Sequence, residues 1–341
     1  MRCSLIAAAL FAIPIFAQVR EQITVERILI DARVTDDRGD PILGLTPKDF
    51  TVKVDGKLAA VESVEWIPET AAQREIAGMD DSVPHPPPAS SDTPRGRLFI
   101  YFFQTDFART PSRVGGQMSF LSYTDQMIDD LEEGDRVAVF SFDSHLKFRL
   151  DFTDDKRQIK DAIRLSLLTD EPPQPPIVAN PSLARRLNKD EMKNAATSDA
   201  AFILIANAVR PIPGPKSMIL FGWGLGTLSG GRVWMDRKYP IARYALETSR
   251  VSVFAIDTSQ ADWHSLEVGL QQAAADTGGL YARAFRFPKI ALDLVEKALV
   301  GHYELEVRKP QLDKRGYHTI DVDVKRKNAT VLARSSYVDT D

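Results

Sequence analysis

The 341 residues are 44% hydrophobic and 26% charged, an ordinary globular composition, but the chain is long for one compact core, so two domains or one domain with a sizeable attachment are expected. Its 43 Lys and Arg against 47 Asp and Glu leave a net charge of -4, which is too small and of the wrong sign for a nucleic-acid binder. The only cysteine, Cys3, precedes an apolar run, so a mature chain without it has no disulfide or thiol chemistry.

Residues 1–17 combine a charged start, a short apolar run and a small residue at Ala17. That is the shape of a secretory signal, too short for the roughly 20 residues of a membrane span. Cleavage after Ala17 is expected, which makes the protein exported, periplasmic or secreted, with no transmembrane span in the mature chain. An uncleaved anchor is the alternative.

An N-terminal β segment is expected over 18–70. Residues 25–35 alternate in part, with Ile28, Ile30, Ala32 and Val34 on one face. The acidic stretch 36–40 lacks the spacing and closing Glu of an EF-hand and reads as a solvated turn. Residues 50–54 and 61–66 flank Asp55-Gly56, a hairpin signal. Residues 71–95 hold Pro84, Pro86, Pro87, Pro88 and Pro94 among Ser, Asp and Ala, and read as an extended linker.

The next landmark is 98–103, six consecutive apolar residues, four of them aromatic, that stop at Gln104-Thr105-Asp106. A strand buried on both faces reads this way when it delivers polar groups to a sheet edge, where open α/β folds bind ligands. Strands and helices then alternate. Met118, Leu121, Ile128 and Leu131 mark a helix, and 136–143 a strand with 145–152 as its antiparallel edge partner. Residues 154–168 read as a helix ended by the prolines of 172–176, and 190–209 as one further helix. The series closes with strands at 217–221, 251–256 and 280–282 and helices at 239–248, 265–277 and 289–300. Residues 303–308, 317–325 and 330–337 read as three strands. The fold class expected is α/β: a doubly wound, mostly parallel sheet over 96–300, inserted between N- and C-terminal β segments (18–70 and 301–341) that pack together as a smaller sandwich-like module.

Most enzymatic motifs are missing. The five histidines have no zinc-ligand spacing, and Ser141, Asp143 and His145 are neighbours along a strand rather than a triad. Gly222-Trp223-Gly224-Leu225-Gly226 lacks the third glycine of a dinucleotide loop, because residue 227 is Thr. Trp223 and Trp234 on this glycine-rich stretch read either as a binding surface or as packing against a helix.

Several blocks together resemble the von Willebrand factor A fold, in the form frequent in Acidobacteria. They are Ala32-Arg33-Val34-Thr35-Asp36, Leu45-Thr46-Pro47-Lys48-Asp49-Phe50, Val54-Asp55-Gly56, Gly134-Asp135-Arg136-Val137-Ala138-Val139, Gly214-Pro215-Lys216-Ser217-Met218-Ile219-Leu220, Thr277-Gly278-Gly279, Tyr317-His318, Ala333-Arg334 and Tyr337. The resemblance implies a metal-ion-dependent adhesion site at the carboxyl edge of the sheet, made of Asp-x-Ser-x-Ser, a loop Thr and a later Asp, that holds Mg²⁺ or Mn²⁺. Here Gln104 stands where the first Asp belongs, and Asp106-Phe107-Ala108-Arg109-Thr110 keeps one carboxylate and one hydroxyl beside a cation. Gly222-Trp223-Gly224 replaces the later Thr-Asp-Gly, and Thr169 and Thr227 are the hydroxyls considered for the loop.

The resulting expectation is an exported, non-enzymatic interaction module with a degenerate adhesion site and no cofactor. It binds a protein or cell-envelope ligand through loops 104–110, 143–145, 222–231 and 257–263, with Gln104, Asp106, Thr110, Trp223 and Asp257 as binding-face residues. The alternatives are a Mg²⁺- or Mn²⁺-dependent adhesion domain with a residual site at Asp106 and Thr110, and an envelope hydrolase.

Overall fold

The computed structural model describes residues 26–78, 96–105, 110–168, 170–177, 181–312 and 314–339. The expected signal segment, residues 79–95, Asp106 and Thr169 lie outside these. No helix among the described residues is long and apolar enough to cross a membrane.

The apolar run 98–103 forms the core of β5 (Leu98–Gln104), buried along its whole length. Around it lie β6 (Arg136–Phe142), β7 (Leu146–Thr153), β8 (Lys216–Gly222), β11 (Val251–Asp257) and β12 (Tyr281–Arg283), in the order β12-β11-β8-β5-β6-β7. Only β7 runs antiparallel to its neighbour. Because strand side chains alternate, Leu98, Ile100 and Phe102 pack on one layer of helices and Phe99, Tyr101 and Phe103 on the other. The first layer is α5 (Ser198–Val209), α6 (Tyr239–Thr248) and α7 (Glu267–Asp276); the second is α2 (Pro111–Asp129), α3 (Lys156–Leu165) and α8 (Pro288–Ala298). Phe102 meets Phe202 edge-on at 5.1 Å, and Phe103 stacks on Phe221 at 4.5 Å.

The two ends of the chain form one sandwich, as expected. β1 (Arg27–Thr35), β4 (Val61–Pro68), β13 (Gly301–Arg308) and β15 (Thr330–Ala333) make one antiparallel sheet in the order β15-β1-β13-β4. β2 (Phe50–Val54), β3 (Lys57–Ala59), β14 (Gly316–Val324) and β16 (Ser336–Asp339) make the other, in the order β16-β14-β2-β3. Ile28, Ile30, Ala32 and Val34 all point into the shared core with Phe50, Val52, Tyr303, Leu305 and Ile320.

Five local expectations are corrected. The Asp55-Gly56 turn does make a hairpin, but its second strand is the short β3, and 61–68 crosses to the other sheet beside β13. Ala71–Ile76, expected as extended linker, is helix α1: Thr70 caps it through Gln73 N, and Glu132 accepts from Ala71 N at 2.8 Å. Met118 is exposed, and Gln117 takes the inward position on α2, donating to the Gln104 carbonyl. Helix 190–209 is two helices, α4 (Lys189–Asn194) and α5, because Thr197 N-caps α5 through Ala200 N at 3.2 Å. Strand 330–337 is also two, β15 and β16, in different sheets.

Charged side chains tie the sandwich to the α/β domain. Arg250 donates to Asp31 at 2.6 and 3.0 Å and to Glu304 at 2.8 Å. Burial alone would push the Asp31 carboxyl up, but the Arg250 hydrogen bonds and charge, helped by His302 and Arg33, hold it below the usual carboxylate range. Buried Arg33 lies over the Phe254 ring at 5.1 Å. Ser335 binds Asp276 through its hydroxyl at 2.9 Å, and Ser336 donates to Glu247.

Candidate functional site at the carboxyl edge of the sheet

Counted in chain order from β5, the six strands lie 3-2-1-4-5-6, and β5 and β8 flank the point where the order reverses. Ligands of open α/β sheets bind outside the carboxyl ends of strands at that point. Gln104 at the end of β5 and Gly222 at the end of β8 are therefore the two residues that frame the edge.

Gln104 is 5% exposed, and its amide is fully engaged across the gap. Nε2 donates to the Gly224 carbonyl at 2.7 Å and approaches Ser198 Oγ at 3.5 Å; Oε1 accepts from Trp223 N at 3.0 Å and Gly224 N at 3.3 Å. A Cβ at position 222 would stand 2.9 Å from Gln104 Oε1, so any side chain there would displace the amide from its partners. The side chain thus stitches β5 to the loop after β8, a role that a carboxylate has no donor to fill. The hydroxyl that comes to it belongs to Ser198, at the start of α5; Thr227 is exposed at the start of a hairpin instead.

The other expected residues are placed as follows. Thr110 is exposed at the N-terminus of α2, and Asp106 lies outside the described residues. Trp223 is half-buried, with the Arg113 guanidinium 3.5 Å above its ring, so it packs against α2 as the second of its two readings expects. Asp257, at the end of β11, is 0% exposed. Its Oδ2 accepts from Tyr281 at 2.9 Å and pairs with His264 Nε2 at 2.7 Å, while Oδ1 accepts from Ser259 N at 2.9 Å. In loop 143–145 the Asp143 carboxylate meets Lys147 Nζ at 2.7 Å, both side chains buried. Burial would raise the Asp143 carboxyl, but the Lys147 and Ser144 hydrogen bonds keep it below its ordinary value.

Among the described residues two groups have the donor set for a divalent cation: Asp257, His264 and Glu267, and Asp31, His302 and Glu304, each with ligand atoms within 4.8 Å of one another. In the first, Glu267 is paired with Arg283 at 2.7 Å and Tyr281 lies between the carboxylates. In the second, the Arg250 guanidinium already bridges Asp31 and Glu304. Protein cations and hydroxyls satisfy the facing oxygens in both, so neither fits an ion well. Sequence spacing missed the His264 partnership because Asp257 and His264 are brought together by the turn after β11.

The exposed material on this edge lies beside Gly222–Gly226. β9 (Thr227–Ser229) and β10 (Arg232–Trp234) form a hairpin that presents Leu228 and Trp234, the latter 60% exposed. Trp263, 69% exposed, sits on the neighbouring loop, three residues before Leu266, whose carbonyl accepts from Leu225 N at 3.4 Å.

An open sheet in this order, antiparallel only at its third strand and covered by helices on both faces, is a von Willebrand factor A-like fold. No protein-family model matches the chain, and no curated protein matches it. Among solved structures it is similar to an aerotolerance-related membrane protein from Bacteroides fragilis, at 14% identity and TM-score 0.38, over 60% of this chain and 98% of that one. It is also similar to the ArnB paralog VWA2 from Sulfolobus acidocaldarius, at 10% identity and TM-score 0.38, over 92% and 76% of the two chains. Proximal thread matrix protein 1 from the mussel byssus, in a structure with a zinc-occupied MIDAS motif, matches at 16% identity and TM-score 0.37, over 65% and 50%. At these values no residue role or ligand is carried over from them.

Proposed function

We propose that this protein is an exported, non-enzymatic interaction module that docks a protein partner on the carboxyl edge of its sheet without a metal ion. The observation that carries the reading is the exposed group Leu228, Trp234 and Trp263, of which Leu228 and Trp234 stand on the hairpin that follows the stretch pinned by Gln104. Exposed tryptophans on a firmly held base are the residues that anchor protein interfaces. The adhesion site that the resemblance implies is degenerate in this reading: an amide that must both donate and accept replaces the first carboxylate, and a tryptophan replaces the later one. The signal-like residues 1–17 support export to the periplasm or beyond.

The metal-dependent alternative is separated by a thermal-shift titration of the mature chain with Mg²⁺, Mn²⁺ and Ca²⁺ after chelation. A ligand that binds only the folded state raises stability by RT ln(1 + [L]/Kd). No saturable rise in melting temperature is expected for any of the three. A saturable rise that Asp106→Ala abolishes would establish the residual metal site instead.

A further inference from the structure

Away from the tryptophan hairpin, on the α2 and α8 side of the same edge, the loops after β11 and β12 enclose a cavity of about 380 Å³. That volume is at the small end of ligand pockets. Gly116 shapes it: α2 passes so close to the β11 loop that a Cβ there would lie 1.9 Å from the Thr258 carbonyl. Three features set the chemistry of its lining.

First, the cavity has no charge to spare. Among the described residues Arg286 is the only ionic one in the lining, and Asp262 pairs with it at 2.7 Å in an exposed ion pair. Second, the polar lining consists of hydroxyl and amide groups: Ser119, Ser122, Tyr123, Thr258, Ser259 and Gln260. Among them Ser259 Oγ has no protein hydrogen-bond partner and is closed off from solvent, so a ligand hydroxyl reaches it once the side chain rotates toward the cavity. Third, Phe120, Tyr123 and Phe285 supply aromatic wall. Arg286, which follows Phe285, holds a left-handed backbone at φ +69°.

We propose that this cavity binds a neutral saccharide unit. A pyranose ring offers an apolar C–H face to an aromatic wall and uncharged hydroxyls around its rim, which matches all three features. The cavity shares the loop after β11 with Trp263 of the docking surface proposed above, but free sugars test it whether or not a protein partner exists.

The test is saturation-transfer NMR and calorimetry on the mature chain with glucose, galactose, mannose and N-acetylglucosamine, and with glucuronate as the charged counterpart. At least one neutral sugar is expected to bind at millimolar concentration, more tightly than glucuronate. Ser259→Ala with Tyr123→Phe, which removes two hydroxyls and keeps the ring, is expected to weaken that sugar about tenfold. Ser259→Ala alone should unfold at the same temperature as wild type or higher, because the hydroxyl it removes has no protein partner to lose. The proposal is overturned if none of the four neutral sugars binds, if the double variant binds as tightly as wild type, if glucuronate binds more tightly than all four, or if Ser259→Ala alone lowers the melting temperature.

Discussion

Gln104→Leu is expected to destabilise the chain by about 3 to 5 kcal/mol, although it replaces one polar residue by an apolar one of similar size at the end of an apolar strand. Leucine would leave Trp223 N, Gly224 N and the Gly224 carbonyl without their partner in a buried gap, and each unmade bond there costs about 1 to 3 kcal/mol. Relaxation of the loop recovers part of the sum. Urea unfolding of the two chains measures the difference; a loss below about 1 kcal/mol would show that the amide does not hold the loop. The variant also bears on function, since the Trp234 hairpin is raised on the stretch that Gln104 pins.

Glu247 gives the second large effect, one that depends on pH. It is buried in α6 where the sandwich docks, accepts from Ser336, and is pushed up to about 7 by burial, which outweighs the lowering by Ser336, Arg243 and Arg334. The folded state therefore holds a proton that the unfolded chain, with an ordinary value of 4.5, releases earlier. The stability from this group is complete below that ordinary value and is lost as pH rises through about 7. Glu247→Gln keeps an acceptor oxygen for Ser336 and does not titrate. Its stability relative to wild type should rise by about 3 kcal/mol across that window in urea melts. Asp31 and Asp143, held low by their cations, change stability only as pH falls below the ordinary carboxylate value, outside this window, and comparison with the variant isolates Glu247 from the remaining titrating groups. A flat difference across the window would mean that Glu247 is ionised throughout in the folded chain.

Much of the architecture was legible because its signals are local. The run 98–103 could only be a strand buried on both faces, and the alternation of Ile28, Ile30, Ala32 and Val34 fixed which face of β1 enters the sandwich. What stayed hidden depends on contacts from far along the chain. Alternation continues through 330–337, and the chain changes sheets at Arg334-Ser335 because Arg334 bridges to Thr277 and Ser335 N donates to the Asp276 carbonyl at 3.0 Å, both across the domain boundary. The candidate site shows the same limit. Gln104 and Asp257 read as edge residues because each is polar at the end of an apolar strand, yet loops more than a hundred residues from Gln104 and the turn to His264 bury them both. Trp223 and Trp234 were found and Trp263 was not, and sequence could not say that Trp223 turns under Arg113 while Trp234 stays outside.

The most direct test of the docking edge is site-specific photo-crosslinking in the cells that make the protein. Benzoylphenylalanine is placed at Leu228 on the hairpin, or at Leu58, which is more exposed still on the far sandwich sheet. A discrete protein adduct is expected from position 228, lost when Trp234 and Trp263 are both changed to Ser, and none from position 58. No adduct from position 228, or the same adduct from both positions, would contradict the assignment of the carboxyl edge as the docking surface.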